Sequence, residues 1–353
     1  VSIRDYVDYN GTVDGKRLLE HFGAAPFGWS QDTLRYLVTA LLVAGDIKLK
    51  VSGREVTVAG QQAIDALKTN NAFKPIGVAL RQDRPSVEVL ARAAVRLTDL
   101  IGETVVPLEE DISKTAAKHL PRFQQEYAPL AEKLAALDLP GGDRVRSLSK
   151  QIGDLLFTDA SDAPEHLGGE ESTLYDGLKW AQAVTKALGH GLEDTIRALR
   201  LHQRVIERLP STGIPGQLNQ ECADALEQIT GRLGQDDFHQ YAADLSTILT
   251  GLRSQVAVAA EKMEKAQQDR IAEGEQDLKR ISEWAELTQE MQSNALNQLA
   301  GLAISVSHDL AGLERLVSHE FDLSGQLEEL KQRITQDGRN RQKQRVDEQK
   351  KKD

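Results

Sequence analysis

The chain has 353 residues, 40% of them apolar and 27% charged, which is enough for two or three folded domains with buried cores. Aromatic residues make up only 5% of it, and this favours a mainly α protein over a β-sandwich or barrel. The net charge of −11 excludes a molecule that attracts nucleic acid or anionic membrane through its overall charge. Any such contact would need a local basic patch.

The longest mostly apolar stretch, Tyr36 to Gly45, is about half the length that spans a bilayer, and no signal peptide precedes it. The single cysteine, Cys222, excludes an intrachain disulfide and suits a reducing compartment. We therefore expect a soluble, cytoplasmic protein without a membrane partner. Cys222 falls on one helix face with Leu218 and Leu226, which indicates a core residue rather than a nucleophile.

The first 60 residues contain the clearest local pattern. Asp14 precedes a short apolar helix at 15–23, and Ser30 is a plausible N-cap for a second helix that ends at Gly45. Apolar residues then alternate with lysines on both sides of the turn at Ser52-Gly53, which predicts a two-stranded hairpin over 46–59. Helix, turn, helix and hairpin in this order are typical of a winged helix-turn-helix domain.

Behind this domain the apolar residues follow helical spacing. All ten prolines lie at or before Pro215, so long uninterrupted helices are expected beyond it. Glu261–Arg280 is dense in charges of both signs and predicts a protruding, coiled-coil-like arm, with Leu296–Leu316 returning antiparallel to it. The predicted organisation is a winged helix-turn-helix domain at 1–74, a helical domain at 75–157, a linker at 158–173, a helical bundle with a long arm at 174–338 and a basic tail at 339–353.

No motif for catalysis is present. The P-loop pattern, a G-x-G-x-x-G after a strand, a G-x-S-x-G elbow, H-E-x-x-H and C-x-x-C are all missing. His308 and His319 lie 11 residues apart, which is about 16 Å on a straight helix and too far to share a metal. We therefore expect no enzyme activity, no catalytic residue, no metal and no cofactor in this chain.

The winged helix admits two kinds of partner. In a DNA-binding version, the second helix enters the major groove and the hairpin touches phosphates, and the candidate residues are Gln31, Arg35, Lys48, Lys50 and Arg54. However, residues 1–60 carry seven basic and seven acidic side chains, so no strong electrostatic footprint favours DNA. On charge, protein docking is slightly favoured.

The turn between the two helices reads Phe27-Gly28-Trp29, in which Gly28 permits a tight turn and Trp29 can fill the junction between the helices. With the helix and hairpin that follow, this turn resembles a segment of the large P-loop ATPase of bacterial BREX phage-defence systems, the BrxC/PglY family. The resemblance is specific over about Asp14–Gly60 and only architectural beyond.

The Walker motifs of that family are missing here. The resemblance therefore implies a C-terminal portion of such an ATPase, with ATP and magnesium belonging to an ATPase core that this chain lacks. It implies partners among the other BREX components or self-association through the helices. The resulting hypothesis is a non-catalytic region that assembles or regulates the defence ATPase, and the alternative is a winged-helix protein that binds duplex DNA and dimerises through a coiled coil.

Overall fold

A computed structural model describes residues 2–82 and 84–350, the side chain of Lys350 excepted. The chain divides between Leu188 and Gly189 into two compact units, and the fold is mainly α with one small sheet. The elements of the first unit are α1 (Ile3–Asn10), β1 (Val13–Asp14), α2 (Gly15–Gly23), α3 (Gln31–Val43), β2 (Ile47–Val51), β3 (Arg54–Val56), α4 (Gln61–Leu67), α5 (Asn70–Phe73), β4 (Gly77–Leu80), α6 (Val87–Ile101), α7 (Glu109–Tyr127), α8 (Leu130–Ala136), α9 (Gly142–Phe157), α10 (Ala163–Gly168) and α11 (Thr173–Ala187).

The winged helix-turn-helix prediction is confirmed. α2 and α3 are followed by the β2–β3 hairpin, in which Lys50 pairs with Glu55, and positive φ angles at Ser52 and Gly53 form the turn. The sheet is antiparallel with strand order β1-β4-β2-β3. Because β4 pairs with β2 through Leu49 and Val78, the sheet extends beyond the predicted boundary at 74.

The core of this domain follows from the spacing of its apolar residues. The Ser30 hydroxyl accepts a 3.1 Å hydrogen bond from the Thr33 amide, which satisfies one of the free N–H groups at the start of α3. The inward face of α3 then packs on α2 and the sheet. The buried residues include Leu18, Phe22, Leu34, Val38, Leu42, Ile47, Leu49 and Val78.

The two prolines of the next helical stretch behave differently. Pro129 separates α7 from α8, whereas α7 continues through Pro121. A proline inside a helix removes one backbone hydrogen bond, and here the buried neighbours Leu120 and Phe123 hold the helix against the domain core.

The segment predicted as a linker, 158–173, is packed into the first unit. It contains α10, and its three apolar residues, Ala160, Ala163 and Leu167, are fully buried. The guanidinium groups of Arg92 and Arg96, both on α6, donate to carbonyl oxygens in the range 167–170. These contacts contradict the linker prediction. The composition of the segment does not reveal that arginines of a helix distant in sequence bind the carbonyl groups at the end of α10.

The chain passes into the second unit through a kink within Leu188–Leu192, where His190 and Gly191 leave helical dihedral angles. The elements that follow are α12 (Glu193–Ile206), α13 (Gly213–Leu233), a short 3-10 helix (Phe238–Tyr241), α14 (Ala242–Arg280), a second 3-10 helix (Ser282–Glu286), α15 (Gln289–Ala300) and α16 (Leu310–Lys350).

The long helices α14 and α16 run parallel. The Gln267 side chain donates a 2.8 Å hydrogen bond to the Leu316 carbonyl oxygen, and further along Lys331 forms a 3.0 Å ion pair with Asp277. Residue numbers therefore rise together along both helices. The predicted antiparallel return over 296–316 is therefore wrong for its last part. α15 and residues 301–309 carry the chain back, and α16 then starts again beside the middle of α14, where His308 lies 2.6 Å from Glu264.

The core position predicted for Cys222 is confirmed. The thiol is fully buried and donates to the Gln255 side-chain oxygen at 3.3 Å. Burial raises the pKa of the Cys222 thiol to about 11, because a thiolate loses its hydration there.

The close approach of α10 to α6 generates a first prediction. A Cβ on Gly168 would lie 2.1 Å from the Val89 carbonyl oxygen, so Gly168→Ala should force the two helices apart and lower the free energy of unfolding by about 2–3 kcal/mol. Denaturant unfolding measures this. The matched control is Gly153→Ala in α9, where a Cβ has only ordinary contact with Gln124, and its stability should be unchanged or raised by up to about 1 kcal/mol. Equal stabilities for the two variants would contradict the close packing.

The Cys222 environment generates a second prediction. Because the folded-state pKa is about 11, above that of a free thiol at about 8.5, the folded chain keeps its proton where the unfolded chain loses it. This residue should therefore reduce stability progressively as the pH rises from about 8.5 to 11, and Cys222→Ala should flatten that loss. Iodoacetamide should label the folded chain at pH 7.5 far more slowly than the urea-unfolded chain.

Candidate functional site

The helix that a winged helix domain usually presents to its partner is α3, and its solvent face is almost uncharged. Tyr36 is 74% exposed and Val43 53% exposed, and Ala40 lies between them on the same face. Sequence reasoning assigned the apolar residues of α3 to the core and missed this second face. The signal was present, since Tyr36, Ala40 and Val43 have i, i+4, i+7 spacing outside the buried stripe.

The two candidate DNA contacts on α3 have different environments. Gln31 is exposed in the first turn. The Arg35 side chain is only 18% exposed, donates to the Leu67 carbonyl oxygen at 2.7 Å and forms an ion pair with Asp32. Arg35 therefore ties α3 to the end of α4, and its charge is balanced within the domain.

The two candidate lysines of the hairpin share one carboxylate. Lys48, 16% exposed, contacts Glu55 at 2.8 Å, and Lys50 lies 3.9 Å from the same group. Glu55 stands opposite Lys50 in the β2–β3 register, so the pairing follows from the strand geometry. The wing therefore presents less positive charge than its lysine count suggests.

The remaining candidate, Arg54, is exposed but contacts the end of a helix of its own unit. Its guanidinium lies 3.4 Å from the centroid of the Phe157 ring, at the end of α9, which is cation–π geometry. Gln62 lies beside it and binds the same segment twice, at 2.9 Å through its backbone N–H to the Asp159 carboxylate and at 2.9 Å through its side chain to the Phe157 carbonyl. The wing and α4 are thus held against residues 157–159.

A buried ion pair makes a second attachment between the winged helix domain and the helices that follow. Arg81, just after β4, forms a bidentate pair with Glu109 at the start of α7, and the two side chains are 5% and 17% exposed. A buried pair of this kind is costly to break from one side. These contacts fix the wing relative to α7 and α9.

The aromatic turn before α3 packs against the domain core. Gly28 has φ of 60°, the Trp29 amide donates to the Phe22 carbonyl at 2.8 Å, and the Trp29 ring stacks on Phe22 with centroids 4.9 Å apart. Phe27 and Trp29 are partly buried. Trp29 therefore fills the junction between α2 and α3, and the sequence did not reveal that Tyr6 joins the cluster by stacking on His21.

Outside this domain, the described part of the chain holds no group of three or more His, Cys, Asp or Glu residues placed to bind a metal. His308 pairs with Glu264, and His319 contacts Gln267 at 2.9 Å, so each histidine links α16 or its start to α14. Among the described residues, no helix combines the length and the apolar character needed to cross a membrane.

The aromatic turn generates a third prediction. Trp29→Ala should lower the free energy of unfolding by about 2–3 kcal/mol, less than the 3–5 kcal/mol of a fully buried tryptophan, because the ring is partly exposed. Trp29→Phe, which keeps a stacked ring, is the control and should lose less than half of this. Urea unfolding measures both, and an unchanged midpoint for Trp29→Ala would show that the stack on Phe22 contributes nothing.

Comparison with known proteins agrees with this geometry. Residues 3–82 match the family model of the BREX ATP-binding protein BrxC winged helix-turn-helix domain. A search of curated proteins and a search of solved structures each return no significant match. The matched range begins with α1 and ends just after β4, so it covers the whole antiparallel sheet. Residues 3–82 therefore form a winged helix-turn-helix domain similar to that of the BREX ATP-binding protein BrxC.

Proposed function

We propose that this chain is a non-catalytic region that assembles or regulates a large BREX ATPase in the cytoplasm, and that its winged helix docks other BREX proteins. The BrxC-type domain itself indicates a role in BREX phage defence. The finer assignment rests on the surface of the winged helix and on the chemistry of the chain.

The docking role is supported by the positions of charged and apolar side chains on the winged helix. Arg35 and Lys48 are largely withdrawn into contacts within the first unit, and the exposed Lys50 and Arg54 lie beside Glu55 and Phe157. The solvent face of α3 presents Tyr36 and Val43. A surface that holds DNA needs accessible lysines and arginines for the phosphates. An exposed apolar helix face suits a protein partner.

The non-catalytic part of the proposal is supported by the sequence, which lacks a P-loop. The only thiol has a raised pKa and is buried, which does not suit a nucleophile. ATP and magnesium would belong to an ATPase core outside this chain. Hydrolysis of ATP by the purified chain would overturn this part.

Duplex DNA is the second candidate partner, because the domain is a helix-turn-helix and Gln31 is exposed at the start of α3. In that function α3 enters the major groove, the wing is released from Phe157, and the chain dimerises through its long helices. DNA binding requires the positive charges of the wing, whereas protein docking on α3 does not.

The fourth prediction separates them. Duplex binding by the whole chain is measured at 50 and 200 mM salt for the wild type and for Lys48→Glu/Lys50→Glu/Arg54→Glu. We expect only weak binding in both, with no loss on reversal. The matched control is Arg253→Glu/Lys262→Glu/Lys265→Glu, three exposed positions on α14. Tight binding that falls steeply with salt and disappears only on wing reversal would establish the DNA role instead.

The docking role is tested directly by co-expression with the other proteins of the same BREX system, followed by size-exclusion chromatography. We expect the chain to elute in a stoichiometric complex with at least one of them. Elution of the chain by itself from every mixture would overturn the docking role.

A further inference from the structure

The exposed face of α3 continues into a groove beside α7. Val43, at the end of α3, lines a small crevice with Val58, Ala59 and Glu110. Val58, Ala59 and Glu110 also line a neighbouring groove of about 260 Å³, whose wall includes Ile64 on α4. Ile64 is 54% exposed. Tyr36, Ala40, Val43, Ile64 and Glu110 therefore form one surface, named here the α3–α7 surface.

The floor of the groove carries an unsatisfied polar group. Ser113 on α7 lines the groove and is 1% exposed, and its hydroxyl has no hydrogen-bond partner within the described residues. A buried hydroxyl without a partner costs about 1–3 kcal/mol. A ligand that enters the groove with a hydrogen-bonding group would remove that cost, so the groove favours an occupant that is not purely apolar.

Charge restricts the occupant further. The groove lining carries two carboxylates, Glu110 and Asp159, and one ammonium group, Lys114. The Asp159 carboxylate already accepts from the Gln62 amide, whereas Glu110 is exposed in the first turn of α7. Phosphate groups are disfavoured beside these carboxylates, and a lysine or arginine is favoured.

We propose that the α3–α7 surface binds an amphipathic helix of another BREX protein, whose apolar stripe lies along Tyr36, Ala40 and Val43 and whose flanking lysine or arginine reaches Glu110. The stripe from Tyr36 to Val43 spans two helical turns, about 11 Å, and a helix packs along such a face by fitting its ridges between the side chains. An apolar side chain of the partner packs on Ile64 at the mouth of the groove, and a polar side chain next to it enters the groove and hydrogen-bonds the Ser113 hydroxyl. The proposal rests on the proposed docking function and names the surface and the chemistry of its partner.

The fifth prediction tests this surface in the complex isolated by co-expression, with affinity measured by titration of the purified partner. Tyr36→Asp and Ile64→Asp should each weaken binding at least about tenfold. Glu110→Lys should weaken it about threefold and reverse the sign of its salt dependence. The matched control, Leu201→Asp, changes an exposed leucine of α12 in the second unit and should bind as the wild type does.

Ser113→Ala gives a readout that a merely structural role would not produce. Because the hydroxyl has no partner in the free chain, its removal should leave the stability unchanged or raised, while the affinity for the partner falls a few-fold. Unchanged affinity for Tyr36→Asp and Ile64→Asp, in a complex that still forms, would overturn the surface and leave the docking function standing.

Two further outcomes would overturn the proposal, and the first of them would identify a different occupant. A concentration-dependent mass in analytical ultracentrifugation that Tyr36→Asp abolishes would assign the surface to a second copy of this chain and overturn the proposal. Failure of every BREX protein to bind the wild type would overturn the docking function and the proposal together.

Discussion

The attachment of the wing to residues 157–159 is the constraint on which the rest of the first unit depends. Arg54 lies over the Phe157 ring, and Gln62 binds the Phe157 carbonyl and the Asp159 carboxylate. The Arg81–Glu109 pair makes a second attachment, between the end of β4 and the start of α7. Because the two Gln62 bonds join residues more than 90 positions apart, they tie the winged helix to the helices that follow within one compact unit.

This attachment also decides which surface is open. The wing lysines and Arg54 contact Glu55 and Phe157 within the unit, whereas the α3–α7 surface presents apolar side chains to solvent. That surface combines exposed apolar side chains with a carboxylate and a groove that holds an unsatisfied hydroxyl. Its chemistry favours a protein helix over a phosphate backbone.

The second unit depends on polar contacts that set the register of its parallel helices. Arg270 meets Glu320 at 2.7 Å, and beyond the end of α14 the acidic residues Glu283 and Glu286 pair with Arg339 and Arg345. The segment predicted as a basic tail, 339–353, is thus partly neutralised up to Arg345, and Lys351 and Lys352 lie outside the described residues. Apolar packing alone would allow these helices to slide by a turn, whereas such pairs favour one alignment.

The sequence by itself determined the helix, turn, helix and hairpin order, the cap at Ser30 and the core stripe of α3, because each depends on residues within one or two turns of each other. It also determined the burial of Cys222, which follows from helical spacing. Only the tertiary structure decided that 158–173 is packed, that α16 runs parallel to α14, and that Arg35, Lys48 and Arg54 are engaged. Those outcomes depend on side chains brought together from distant positions, such as Arg92 and Arg96 at the end of α10, and local pattern carries no information about which distant partner satisfies a charge.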